Sequence, residues 1–101
     1  ERDDGKRLFA YAYIYARPQP QILQNLVDSV TKLEKQPFGQ YWGIQAIGRI
    51  IQTVPQSANA QILNSLRHFL TKLQRDTDRY YELSRIINLD CPMFCTSEEL
   101  V

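Results

Sequence analysis

With 101 residues, 44% of them hydrophobic and 23% charged, the chain has the length of one small domain and an ordinary globular composition. A formal net charge of +1 excludes the strong basic excess of a dedicated nucleic-acid binder. No apolar run approaches the roughly 18 residues of a membrane span, and no signal or lipidation motif is visible.

The chain opens on charged residues at Glu1 without an initiating Met, which leads us to expect a piece of a longer protein, cytoplasmic by default. A first helix is expected over 4–16, capped by Asp3 or Asp4 and ended by Arg17-Pro18-Gln19-Pro20. Its stretch Leu8-Phe9-Ala10-Tyr11-Ala12-Tyr13-Ile14-Tyr15 is apolar nearly all round. The Tyr/Ala alternation also fits a strand, but a lone strand would have no partner among helical neighbours. An all-round apolar helix is expected to be buried on several sides, which points to a missing N-terminal neighbour, or to dimerisation if it is left bare.

A second helix is expected over 20–35, with Pro20 in its first turn and Ile22, Leu23, Leu26, Val30 and Leu33 as its apolar stripe. Gln36-Pro37-Phe38-Gly39 reads as a turn, followed by a third helix over 40–53 that Pro55 closes. On that helix Gly43, Ile44, Ala46, Ile47, Ile50, Ile51 and Val54 share a broad arc opposite Gln45, Arg49 and Gln52. Gly43 and Gly48 cost about 1 kcal/mol each relative to Ala, which close helix–helix approach would offset. A fourth helix, 58–74, carries Ile62, Leu63, Leu66, Phe69, Leu70 and Leu73 inward, with Ser57 or Asn59 as cap. A fifth, 79–89, turns Tyr80, Leu83, Ile86 and Ile87 inward, is capped by Thr77 or Asp78, and stops before Pro92.

The chain also repeats itself. Residues 21–33 return at 61–73 with seven of thirteen positions identical, and at an offset of 39 Tyr41, Trp42, Ile44 and Ile47 meet Tyr80, Tyr81, Leu83 and Ile86. Self-similarity at this period marks a stacked array of two-helix units. The organisation expected is a repeat domain over 1–90, made of a half unit 3–17 and units 20–54 and 58–90, with 91–101 as a tail.

Ala46-Ile47-Gly48-Arg49-Ile50 resembles the Ala-Leu-Gly-Arg-Ile pattern of second helices in HEAT repeats, and Asp76-Thr77-Asp78-Arg79 resembles their Asp-rich turn followed by Arg. The second unit departs from the pattern at Arg85-Ile86-Ile87, and Gln36-Pro37-Phe38-Gly39 lacks the turn Asp. The resemblance to the HEAT/armadillo superfamily implies an all-α fold, a five-helix right-handed α-solenoid fragment of antiparallel helix pairs. It also implies that the second helix of each pair lines a concave recognition face.

Catalytic chemistry finds no constellation. His68, the only histidine, lies opposite the apolar stripe of the fourth helix, and there is no nucleophile elbow, P-loop or metalloprotease motif. Asp76 and Asp78 have turn and cap work to do. Cys91 and Cys95 form half a zinc site at best, since structural zinc takes four ligands. We therefore expect no catalytic residue, metal or cofactor.

Protein recognition remains. The outward residues of the third and fifth helices, Trp42, Gln45, Arg49, Gln52, Tyr81, Arg85 and Asn88, combine Trp, Tyr and Arg, the types enriched at binding hot spots. Trp42 could equally be core shared between units. The partner expected is another protein or a neighbouring domain. The alternative is a nucleic-acid surface built from Arg49, Arg67, Lys72, Arg75, Arg79 and Arg85 with Tyr41, Trp42 and Tyr81, which Asp76, Asp78 and Glu82 interrupt.

Overall fold

The computed structural model describes residues 2–89, which are almost wholly helical and contain no strand. Helix α1 covers Arg2–Ala16. A 3-10 turn at Pro20–Ile22 leads into α2, Leu23–Asp28, which runs on as a π-helical turn over Ser29–Leu33. Helix α3 is Pro37–Thr53; a 3-10 turn at Pro55–Ser57 then precedes α4, Ala60–Leu70, and α5 is Asp78–Leu89. The expected tail and its Cys91, Pro92 and Cys95 lie outside the described residues.

Prolines set three of the starts. Pro20, Pro37 and Pro55 each stand at the opening of a helical turn, where a missing N–H costs nothing because that donor has no partner in the helix. This corrects the expected turn at 36–39: Gln36 is extended, and Pro37 already opens α3 three residues early. Side-chain caps set the starts of α4 and α5. The Asn59 side chain accepts from the Ile62 amide at 2.8 Å, and the Thr77 hydroxyl accepts from the Tyr80 amide at 3.2 Å.

Helix α4 stops four residues sooner than expected. The Thr71 hydroxyl donates to the His68 carbonyl at 2.6 Å, and the amides of Lys72 and Leu73 tighten onto Phe69 and Leu70, three residues back. Those shorter-range bonds end the α-helical ladder.

Helix α3 packs against both α1 and α5, α2 against α3 and α4, and α4 against α5. This contact order sets α1, α3 and α5 in one row and α2 and α4 in a second. Between the rows lies a core whose fully buried members include Leu23, Val27, Val30, Ile44, Ile47, Ile50, Leu66, Leu83 and Ile86. Two backbones approach closely on α3. A Cβ at Gly43 would land on the Val30 side chain of the π turn, and one at Gly48 would come within 2.7 Å of Ile86 Cδ1 on α5. Gly43 and Gly48 thus both sit at helix contacts.

Helix α1 departs from its expected burial. Tyr11 is buried, but Phe9 is 75% exposed and Tyr13 53% exposed. Its inward residues are Arg7, Tyr11, Ile14 and Tyr15, spaced as on one helical face, so the Tyr/Ala alternation produces no strand. Among the described residues that face meets neighbours, while Phe9 and Tyr13 beside it stay exposed.

Candidate functional site

The seven residues singled out from the sequence fall into two clusters and three exposed positions. The first cluster joins α1 to α3. Trp42 is half-buried against the core, with its ring edge-on to Tyr15 at 6.0 Å and to Tyr41 at 5.9 Å. Arg49 lays its guanidinium 4.3 Å from the centre of the Tyr15 ring, and its Nε donates to the Tyr15 carbonyl at 3.2 Å. That carbonyl belongs to the last turn of α1, where no amide of the helix itself can satisfy it, so Arg49 caps α1 from outside. The residue chosen as a recognition contact therefore holds two helices together.

The second cluster joins α3 to α5. Arg85 Nη2 donates to Glu82 Oε1 at 2.8 Å within α5. That hydrogen bond outweighs burial and, with Gln45 of α3 nearby, draws the Glu82 carboxyl below its ordinary value of 4.5. Gln52, Tyr81 and Asn88 lie on the same helices with exposed side chains; Tyr81 is 66% exposed and meets only the edge of Tyr80.

Four of the six cations of the nucleic-acid alternative already contact protein groups. Arg79 Nη1 donates to Gln40 Oε1 at 2.6 Å, Arg75 stacks 5.7 Å over the Tyr80 ring, and Arg49 and Arg85 are held as above. Arg67 and Lys72 are exposed on and just beyond α4, in the other row.

Sequence reasoning missed a third cluster, around Glu34. The π turn makes it: the Thr31 hydroxyl bonds the Val27 carbonyl at 2.8 Å, and the Glu34 amide reaches back five residues to Ser29 at 2.8 Å. Widening the last turn slips the register, so Leu33, expected in the stripe, is 59% exposed, while Glu34 is 4% exposed. Its Oε1 accepts from Arg7 Nε at 2.9 Å and from the Tyr11 hydroxyl at 3.2 Å, and its Oε2 from the Gln36 amide at 3.2 Å. Its own carbonyl accepts from Gln40 Nε2 at 3.1 Å, and Gln40 in turn receives Arg79 of α5. The Tyr11 hydroxyl also shares a 2.9 Å hydrogen bond with Ser29. Burial, opposed by the Ser29 bond and reinforced by the Glu34 charge, pushes the Tyr11 phenol above its ordinary value of 10.0.

Such a network links four helices. Among the described residues no three of His, Cys, Asp and Glu gather as metal ligands. Among the described residues, no helix is long and apolar enough to cross a membrane. No protein family, curated protein or solved structure matches the chain.

Proposed function

We propose that the chain is a non-enzymatic HEAT-like module, a right-handed α-solenoid segment that binds a protein partner or neighbouring domain through the outer face of α3 and α5. The observation that carries this reading is Tyr81, a large aromatic ring two-thirds exposed beside the Glu82–Arg85 ion pair. An exposed aromatic anchor flanked by satisfied polar groups is the composition of an interface centre and its rim. The two-row contact order supports stacked helix pairs, which present continuous surfaces of this kind. The nucleic-acid alternative draws less support, because Arg49, Arg79 and Arg85 already serve protein acceptors.

The test is a photo-crosslinking residue at position 81, with position 68 on the outer side of α4 as control. Partner adducts that form at 81 but not at 68, and that Gln52→Glu weakens, are expected. Equal labelling at both positions would remove the face. A retarded band with DNA or RNA at low salt would move the reading to the alternative.

A further inference from the structure

Apart from the proposed face, α1 and α2 enclose an apolar slot. One groove of about 440 Å³ is lined by Phe9, Ala10, Tyr13, Ile14 and Ile22, with Arg17 and Gln19 at its edge. A second, of about 220 Å³, is lined by Ala10, Tyr11, Ile14, Ile22 and Leu26, with Arg7, Asn25 and Ser29 around it. They share Ala10, Ile14 and Ile22, so they form one trough with α1 as one wall and α2 as the other. None of the seven residues of the proposed face lines it.

The fold itself shows what such a trough accepts. Helix α4 packs on α5 and on α2, and α2 packs on α3 and on α4. Each second-row helix thus rests on one first-row helix and on its neighbour within its own row. The trough is the next seat in that row, bounded by α1 and by the flank of α2 away from α4. It continues an interface already formed. Both helices seated in this row carry the same apolar spacing, Ile22, Leu23, Leu26 and Val30 in α2 with its flanking turns, and Ile62, Leu63, Leu66 and Leu70 in α4.

We propose that the α1–α2 trough is a docking site for an amphipathic helix of a partner protein, with apolar residues at i, i+1, i+4 and i+8, lying antiparallel to α1. Ile14 and Ile22 form the apolar floor, and the exposed rings of Phe9 and Tyr13 close over the occupant's outer edge. Ala10 gives the small central position that lets the helix approach.

The probe is a fluorescein-labelled peptide with the sequence of residues 58–74, titrated with the intact chain and followed by fluorescence anisotropy. Ala10→Glu places a charge in the trough from an exposed position, and Ala12→Glu, exposed and outside it, is the control. Saturable micromolar binding that Ala10→Glu weakens about tenfold or more and Ala12→Glu leaves alone is the expected result, with both variants keeping the parent melting temperature. Absence of saturable binding, or equal binding by the Ala10→Glu variant, overturns the proposal. Sedimentation of the chain alone supplies the second arm. A monomer is expected, and a dimer abolished by Ala10→Glu would seat a second copy in the trough and overturn the partner assignment.

Discussion

Arg7 on α1 and Glu34 just past the π turn meet at 2.9 Å, with the Glu34 side chain only 1% exposed. Removing one member of a buried pair strands the other charge, which costs about 3–5 kcal/mol. Since Arg7 retains 24% of its side-chain exposure, the lower end applies. Arg7→Met is expected to lower unfolding free energy by about 3 kcal/mol in urea titrations. Arg7→Met with Glu34→Gln should regain more than half of that, because no charge is then left unpaired. A double variant as unstable as the single one would show that the ion pair is not the source.

Gly39 lies in the first turn of α3 directly against the Glu34 carboxylate. A Cβ there would stand 2.5 Å from both Cδ and Oε2. Intrinsic propensity favours Ala over Gly by about 1 kcal/mol in a helix. Overpacking costs about 1–3 kcal/mol, and here the displaced group is a carboxylate held by several hydrogen bonds. Gly39→Ala should therefore destabilise the parent chain, and should cost measurably less in a Glu34→Ala background. Urea midpoints of the four chains check the sign.

The two glycines of α3 that touch other helices should differ. Gly43 meets the branch methyl of Val30, whereas Gly48 meets Ile86 Cδ1 at 2.7 Å and Cγ1 at 2.9 Å; both partners are buried and stiff at χ1, and Ile86 alone has a χ2 whose turning moves its nearest atom. Thermal melting should show Gly43→Ala losing about 2–3 kcal/mol and Gly48→Ala about 1 kcal/mol or less. Val30→Ala should rescue the first substitution in part and leave the second unaffected.

Alkaline and acid limbs of the stability profile follow from Tyr11 and Glu82. The folded Tyr11 phenol holds its proton above the value of 10.0 at which the unfolded chain releases it. The unfolded state then binds fewer protons, so stability falls as pH rises past about 10 toward the folded value. Tyr11→Phe should flatten this limb. The lowered Glu82 carboxyl acts with the opposite sign: its contribution is present above 4.5 and fades as pH falls through the folded value. That effect should be small, because the side chains of Glu82 and Arg85 are 29% and 54% exposed. Urea titrations across pH, with Glu82→Gln as the acid control, read both limbs.

Helix existence and inward stripes were legible because they follow from local rules. The spacing of Ile62, Leu63, Leu66 and Phe69, and of Leu83, Ile86 and Ile87, matches their burial. The caps at Asn59 and Thr77 were also readable from residue type. What could not be read is tertiary. Leu33 and Leu73 are identical positions of the repeat, yet one is 59% exposed and the other 9%. The difference arises because the π turn slips the register and brings Glu34 inward against Arg7 and Tyr11, and no local pattern announces those partners. The contact of Arg49 with Tyr15 was hidden for a similar reason. An Arg opposite an apolar arc looks solvated until the end of α1 arrives beside it and needs a donor. The bareness of Phe9 and Tyr13 could not be read from hydrophobicity, which reports what a helix would bury and not which neighbours it has.

The π turn has a bearing on modular reuse of this chain. Twenty residues separate Gln21 from Tyr41, but nineteen separate Gln61 from Tyr80, and the longer unit is the one whose helix widens at Ser29–Leu33. The surplus residue brings obligations with it, since Glu34 needs Arg7 and Tyr11 upstream and Gly39 downstream, whereas its counterpart Gln74 is exposed and asks for nothing buried. Excising 20–54 would leave the buried Glu34 carboxylate without Arg7 and Tyr11, whereas excising 58–89 would separate no buried ion pair among the described residues.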